Sequence, residues 1–433
     1  MQRELLQNLI NWKNKDDRKP LIIRGARQVG KTWLMKEFGK SHYKNIAYVN
    51  FETALSLHSI FESGFDSDKL IMALKIESGS DIIPGETLII LDEIQECEAA
   101  ITSLKYFQEN ANRYHIVAAG SLLGVALHKH RSFPVGKVDF LNLHPLNFSE
   151  FLVAVNESQL LELLQKKKWG LITGFKTKYI ELLKQYFYVG GMPEAVLTFI
   201  NQKDFKKVRE KQLNILSAYE QDFSKHAPNE IVPRIRLVWQ SLPSQLAKEN
   251  RKFFYGNLKK GARAREFELA IEWLTDAGIV HKVNRCNKPG LPLIAYEVLS
   301  DFKLFILDVG LLAAMGNLAV KTLIADQSLF EEFKGAITEQ YVLQQLKSID
   351  QLPVYYWSAE KATAEIDFLI QYQNNVIPIE VKAAENLKAK SLKAYHQKFN
   401  SEISIRTSLS DYRKEDWLVN LPLYVCSNYF DGN

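Results

Sequence analysis

The segment Gly25-Ala26-Arg27-Gln28-Val29-Gly30-Lys31-Thr32 constrains this chain more than any other. It matches G-x-x-x-x-G-K-[ST] at every fixed position. The run before it, Lys19-Pro20-Leu21-Ile22-Ile23-Arg24, reads as a short buried strand. The run after it reads as a helix from Trp33 to Phe38, with Gly39 as its stop. Chemistry demands that order. Glycines let the backbone curl so that successive N–H groups face a phosphate, and the helix N-terminus adds partial positive charge. Lys31 then reaches the β- and γ-phosphates of a nucleotide, and the Thr32 hydroxyl ligates Mg2+.

A second run, Glu86-Thr87-Leu88-Ile89-Ile90-Leu91-Asp92-Glu93, is an apolar strand that ends in two carboxylates. Beside a phosphate cradle, the first acid orients the metal and the second polarises the attacking water. Asn45–Asn50 and Tyr114–Ala119 read as further buried strands, and the latter delivers Gly120-Ser121 to the same sheet edge. There, Ser121 is expected to sense the γ-phosphate. With Lys137–Leu143 the expectation is an α/β fold, a five-stranded parallel sheet with helices on both faces. All these polar residues fall at carboxyl ends of strands, where open α/β sheets hold ligands.

Composition narrows the class without deciding it. Hydrophobic residues make up 46% and charged residues 24% of 433 residues, the mix of a multidomain globular chain. No run approaches the roughly 18 apolar residues of a membrane helix, and the N-terminus lacks a signal-peptide pattern. Cys97, Cys286 and Cys426 are widely spaced and match no zinc motif, so a reducing, cytoplasmic location without disulfides is expected.

The cradle, the Leu-Asp-Glu strand, Ala119-Gly120-Ser121-Leu122-Leu123-Gly124 and Leu143–Phe151 resemble the bacterial and archaeal AAA-type ATPases of the STAND-like branch. The resemblance implies an ATP- and Mg2+-dependent core over residues 1–150 and a helical lid over 151–228. Within the lid, Gly190-Gly191-Met192-Pro193-Glu194-Ala195 is similar to the family's Gly-x-Pro element, which implies that Pro193 lies near the nucleotide base. Lys137 stands where the family often has arginine, and Arg131 is the candidate substitute for an arginine finger.

From about residue 229 to 315 the pattern changes. A helix from Arg265 to Ala277, then Ile279–Asn284, a Lys288-Pro289-Gly290 turn and Leu293–Leu299 outline a winged helix. Ten basic and five acidic residues fall between Lys248 and Lys288, an excess equal to the +5 of the whole chain. Arg263 and Arg265, at the start of the recognition-like helix, are the candidate nucleic-acid contacts. A winged helix used only for packing is the other reading.

Residues 316–433 hold a second constellation. Glu339 lies in a helical run, Asp367 in the strand Glu365–Ile370, and Glu380 and Lys382 on one face of Val376–Lys382. The Gln373-Asn374-Asn375 turn joins the two strands as a hairpin. Asp367 and Glu380 suit a second divalent metal in an oxygen site. Lys382 and Glu339 suit positioning a water against a phosphodiester. The pattern looks like the PD-(D/E)XK, restriction-endonuclease-like core of the domain of unknown function that follows the ATPase in this family. Tyr355-Tyr356-Trp357 and Leu421-Pro422-Leu423-Tyr424 extend the likeness.

The leading functional expectation is an ATPase whose nucleotide state controls a nucleic-acid-facing C-terminal half, DNA ahead of RNA, with nuclease activity open. The alternative is a nucleotide-dependent switch or scaffold that recruits a protein partner or a second copy, its nuclease-like fold inactive.

Overall fold

Parallel strands buried on both faces need continuous apolar runs, and the N-terminal third supplies them. In the computed structural model, β1 (Leu21–Arg24), β2 (Asn45–Asn50), β3 (Thr87–Asp92), β4 (His115–Ala119) and β5 (Asp139–Asn142) form one sheet in the order β2-β3-β4-β1-β5. Every pairing in it is parallel. The helices α1 (Leu5–Lys13), α2 (Lys31–His42), α3 (Leu55–Glu62), α4 (Ser67–Ser78) and α5 (Glu98–Asn110) precede and connect the strands. Ile22, Val49, Ile89, Leu91, Ile116 and Ala118 share one core with Phe51, Phe61 and Leu104. The structure describes all residues except 122–123, 126–132, 249–251, 325–330, 360–363, 386–389 and 431–433. Arg131 therefore lies outside the described residues, as do Leu122, Leu123, Glu249 and Arg251.

Gly39 does not stop its helix. α2 continues to His42, and a Cβ at Gly39 would stand 2.7 Å from Ile46 Cγ1. The glycine is a close-packing position that lets the helix lie on β2, which sequence alone cannot distinguish from a terminator.

The chain divides into two compact units, residues 2–144 with 276–278, and residues 145–275 with 279–433 and Met1. The second unit opens with α6 (Phe148–Ala154). Asn147 and Glu150 form a reciprocal capping box there. The helices α7 (Lys176–Val189), α8 (Pro193–Gln202), α9 (Phe205–His226), α10 (Val232–Leu246) and α11 (Ala264–Asp276) follow. Next come β6 (Val280–Cys286), β7 (Glu297–Ile306), α12 (Val309–Met315) and α13 (Glu331–Lys347). The chain ends with β8 (Val354–Ser358), β9 (Glu365–Tyr372), β10 (Asn375–Val381), α14 (Lys390–Phe399), β11 (Ser404–Ser408), β12 (Arg413–Lys414) and β13 (Leu418–Pro422), before a last short helical segment.

The β6–β7 ribbon is not free-standing. It belongs to a single eight-stranded sheet of order β12-β13-β11-β10-β9-β8-β6-β7, joined where β6 pairs in parallel with β8 at Arg285 and Tyr356. Lys303 of β7 is fully buried and ion-paired with Glu365 of β9, with the Tyr356 ring 4.9 Å from its Nζ. Within the sheet, β8–β9–β10 are antiparallel neighbours and β11 lies parallel to β10.

α13 explains how the second unit is held together. Thr338, Glu339, Gln340, Gln344 and Gln345 are all buried in it, so it lacks the polar stripe of a surface helix. Its amides bind backbone instead. Gln340 Nε2 donates to Ile306 O at 2.6 Å, Gln344 Oε1 accepts from Val309 N at 2.8 Å, and Gln345 Oε1 accepts from Phe148 N at 2.8 Å. The fully buried Asp308 caps α12 by accepting from Leu311 N at 3.0 Å, and it also accepts from Gly191 N at 2.6 Å and Gln344 Nε2 at 3.0 Å. A Cβ at Gly190 would lie 2.1 Å from Asp308 Oδ1, and one at Gly191 would lie 2.0 Å from Leu146 O. The Gly-Gly pair before Pro193, the first residue of α8, thus serves close packing within this unit.

Candidate active site

The turn from β1 into α2 takes its shape from glycines where a side chain cannot go. Gly25 has φ +155° and would drive a Cβ to 2.3 Å from Leu143 O, while Gly30 has φ +96°. Arg3, which sequence reading passed over, backs the loop. Its guanidinium donates to Val29 O at 2.9 Å and to His144 O at 2.5 Å. Lys31 lies folded into the cradle, buried, with Nζ donating to Gly25 O and Ala26 O at 2.8 Å each. Burial pulls its pKa down to about 8, helped by Arg27 and opposed by the charges of Glu93 and Asp92.

β3 carries the two acids to the same place. Asp92 Oδ2 accepts from Thr32 Oγ1 at 2.7 Å and from Tyr48 Oη at 3.1 Å, and Asp92 Oδ1 accepts from Glu93 N at 3.1 Å. This hydroxyl–carboxylate pair is the oxygen donor set a Mg2+ ion takes beside a phosphate, so Thr32 and Asp92 fit that metal. Tyr48 was not anticipated. Its signal was the period-2 alternation of β2, which puts Tyr48 and Asn50 on one face, with Asn50 in register with Asp92. Burial first, then the charge of Asp92, pushes the Tyr48 hydroxyl up to about 12, so it remains a donor.

Glu93 leaves the strand in the left-handed region at φ 47°, ψ 43°, a costly conformation for a non-glycine residue and typical of functional sites. Its Oε2 accepts from Gln95 Nε2 at 2.6 Å, from Ser121 Oγ at 3.0 Å and from Ser121 N at 3.3 Å. Burial works against its charge, but the Gln95 bond, the Lys31 charge and the Ser121 bonds outweigh it and hold the carboxyl below its ordinary value. Ser121, expected to sense a γ-phosphate, here donates to the Glu93 carboxylate. Lys137 is ion-paired with Glu109 at 2.9 Å.

Comparison with known proteins fits this geometry: a family model described as "AAA domain" matches residues 17–152. Over residues 17–152 the chain is thus similar to AAA domains. Two further models, both described as domains of unknown function (DUF8612 and DUF4143), match residues 180–322 and 334–424. No curated protein matches the chain. Among solved structures, the chain is similar to the Walker-type ATPase PABY2304 of Pyrococcus abyssi, at 14% identity and TM-score 0.44, over 73% of this chain and 95% of that one. It is also similar to the Aeropyrum pernix ORC1 protein in complex with DNA (12% identity, TM-score 0.27, 73% and 91% covered). Cdc6p from Pyrobaculum aerophilum is a third (12% identity, TM-score 0.25, 75% and 93% covered). The AAA-domain match spans the cradle and the acid pair; the other two matches assign no chemistry.

The C-terminal constellation comes together in part. Glu380 is 3% exposed, with Oε1 on Lys382 Nζ at 2.9 Å, and Asp367 Oδ2 accepts from Val381 N at 2.7 Å. Burial raises the Glu380 carboxyl above its ordinary value, eased by Lys382 and reinforced by the charge of Asp367. Glu339 is buried on α13, which packs against β10. Arg406 was missed. It stands opposite Glu380 in the β10–β11 register, nearly buried, with Nε donating to Asn420 Oδ1 at 3.0 Å. Among the described residues no three His, Cys, Asp or Glu side chains gather as a metal-holding group. The second divalent metal therefore finds only a pair of acids, Asp367 and Glu380, already engaged by backbone and lysine.

Arg263 and Arg265 are exposed at the start of α11, but the exposed part of that helix also carries Glu268 and Glu272. Asp301, outside the basic segment counted in the sequence, pairs with Lys252 at 2.7 Å and Arg285 at 3.0 Å. The local excess of positive charge is thus smaller in space than along the chain. No helix among the described residues is long and apolar enough to cross a membrane.

Proposed function

We propose that this protein is a Mg2+-dependent ATPase whose nucleotide state governs a nucleic-acid-facing C-terminal half. The observation that carries the ATPase reading is the joint engagement of Thr32 with Asp92 and of Glu93 with Ser121 beside the cradle. The backbone of Gly25–Thr32 and the Lys31 ammonium bind the phosphates. Thr32 and Asp92 would hold Mg2+, which when bound supplies charge neutralisation for the phosphates. Glu93, ionised at neutral pH, takes the proton of the attacking water. Lys31→Ala is expected to abolish ATP binding, and Glu93→Gln to bind ATP and stall, because removing the base spares the phosphate contacts. Turnover with Mg2+ by the wild type no higher than by both variants sinks hydrolysis as the function.

The nucleic-acid reading draws support from the order α13–β8–β9–β10–α14–β11, that of a PD-(D/E)XK core, with Asp367, Glu380 and Lys382 on its central hairpin. DNA is the proposed partner over RNA, through Arg263 and Arg265. A second reading has its own support: a carboxylate pair already occupied by Lys382 and backbone, and an α11 surface of mixed charge. In it the protein is a switch that recruits a protein partner or another copy of itself, and the C-terminal fold does not cut. Divalent-metal-dependent cleavage of DNA, lost in Asp367→Ala and Lys382→Ala, would establish the nuclease. Salt-dependent DNA binding weakened by neutralising Arg263 and Arg265 would establish the interface. If the protein neither binds nor cuts nucleic acid, the switch stands.

A further inference from the structure

The short turn after β3 contains a residue to which neither the motif nor the domain match assigns a task. Gln95 sits two residues past Glu93, in the 3-10 turn Ile94–Glu96. Its Nε2 donates to Glu93 Oε2 at 2.6 Å, the shortest of the three bonds that oxygen accepts, and more distantly to Glu96 Oε1 at 3.4 Å. The sense of the amide is set by charge, since turning it over would aim its carbonyl at two carboxylates. The opposite end of the group, Oε1, is buried and accepts no hydrogen bond among the described residues. A buried amide oxygen left without a donor is costly, and the turn keeps it so that the donor side can reach Glu93.

We infer that Gln95 is a positioning residue for ATP hydrolysis: with Ser121 it ties down Oε2 of Glu93 and leaves Oε1 for the attacking water. This rests on the ATPase reading above. In that reaction the water oxygen forms a bond to the γ-phosphorus. The bond from that phosphorus to the bridging oxygen breaks, its electron pair leaves with ADP, and the water's proton passes to Glu93 Oε1. A carboxylate on a flexible side chain must be aimed before it can take that proton. Three donors converging on one oxygen aim it, while the left-handed backbone at Glu93 and the Glu93 N–H on Asp92 Oδ1 fix its root.

Gln95→Ala and the volume-keeping Gln95→Met test this. Both are expected to lower kcat about tenfold, the scale of a misaimed general base, with KM for ATP little changed. In the Glu93→Gln background, where the base is already gone, neither substitution is expected to lower the residual turnover further. A further fall of similar size in the Glu93→Gln background, or no fall in the wild-type background, overturns the inference. So does a rise in KM with kcat intact. If one variant does not fold, the other decides, with ATP binding as the check on folding. Should the wild type show no turnover, the ATPase reading fails by itself. The inference about Gln95 then falls with it, whereas wild-type turnover left unchanged by both variants sinks the inference alone.

Discussion

Lys31 shows how one residue can make nucleotide affinity depend on pH. Desolvation in the cradle brings its pKa to about 8, well below that of a free lysine. Bound phosphates favour the ammonium, so above pH 8 binding must first return a proton to Lys31. ATP affinity is therefore expected to be flat below that pH and to weaken above it, by up to tenfold per pH unit. Calorimetric titration at pH 7, 8 and 9 reads the slope, and Lys31→Arg, which keeps its charge, should flatten it. The sign reverses for folding. The unfolded chain holds the Lys31 proton to higher pH than the folded one, so this group's penalty on the free protein fades as pH rises through that window. At this scale the motif residues were legible, because phosphate chemistry allows few alternatives to Gly25, Gly30, Lys31 and Thr32. Tyr48, Gln95 and Arg406 were not: the alternation of β2 fixes the face of Tyr48 but not its partner, and a hydrogen bond across strands or a turn leaves no spacing of its own.

Elements were legible where burial is continuous along the chain. The apolar runs at Leu21–Ile23, Leu88–Leu91 and Ile116–Ala119 could only be interior strands. α13 misled in the opposite direction. A helix with Thr338, Glu339, Gln340, Gln344 and Gln345 together looks as though it should face water, yet each is buried. Its partners are backbone groups of elements tens to hundreds of residues away, which no local pattern encodes. Asp308 is the point where three such elements meet: the turn into α8, the start of α12, and α13. Asp308→Ala should remove the cap and leave the Gly191 N–H buried without an acceptor, costing about 2–4 kcal/mol in the urea unfolding of the second unit. Gly191→Ala should be comparably damaging, because its Cβ would meet Leu146 O at 2.0 Å. Equal midpoints for wild type and Asp308→Ala would remove Asp308 from this role.

At the scale of the whole molecule, the sequence pattern suggested a break near residue 315, between a ribbon and a C-terminal sheet. β6 and β8 are separated by long stretches of chain, and their pairing could not be read from either segment. With Lys303 buried on one side of that seam and Glu365 on the other, ribbon and sheet should open together. Amide exchange in β6–β7 and β8–β10 is expected to show a common opening free energy, and Glu365→Ala, which leaves a buried lysine unpaired, should lower it for both by about 3–5 kcal/mol. Separate exchange behaviour would mean that the seam bears little of the stability. The shared sheet also has a meaning for inheritance. The matches of unknown function at 180–322 and 334–424 meet inside one hydrogen-bonded layer, so recombination between them would tear a sheet rather than trade a module. A crossover near His144–Pro145 spares both sheets, and related chains should have exchanged their C-terminal parts as a single piece.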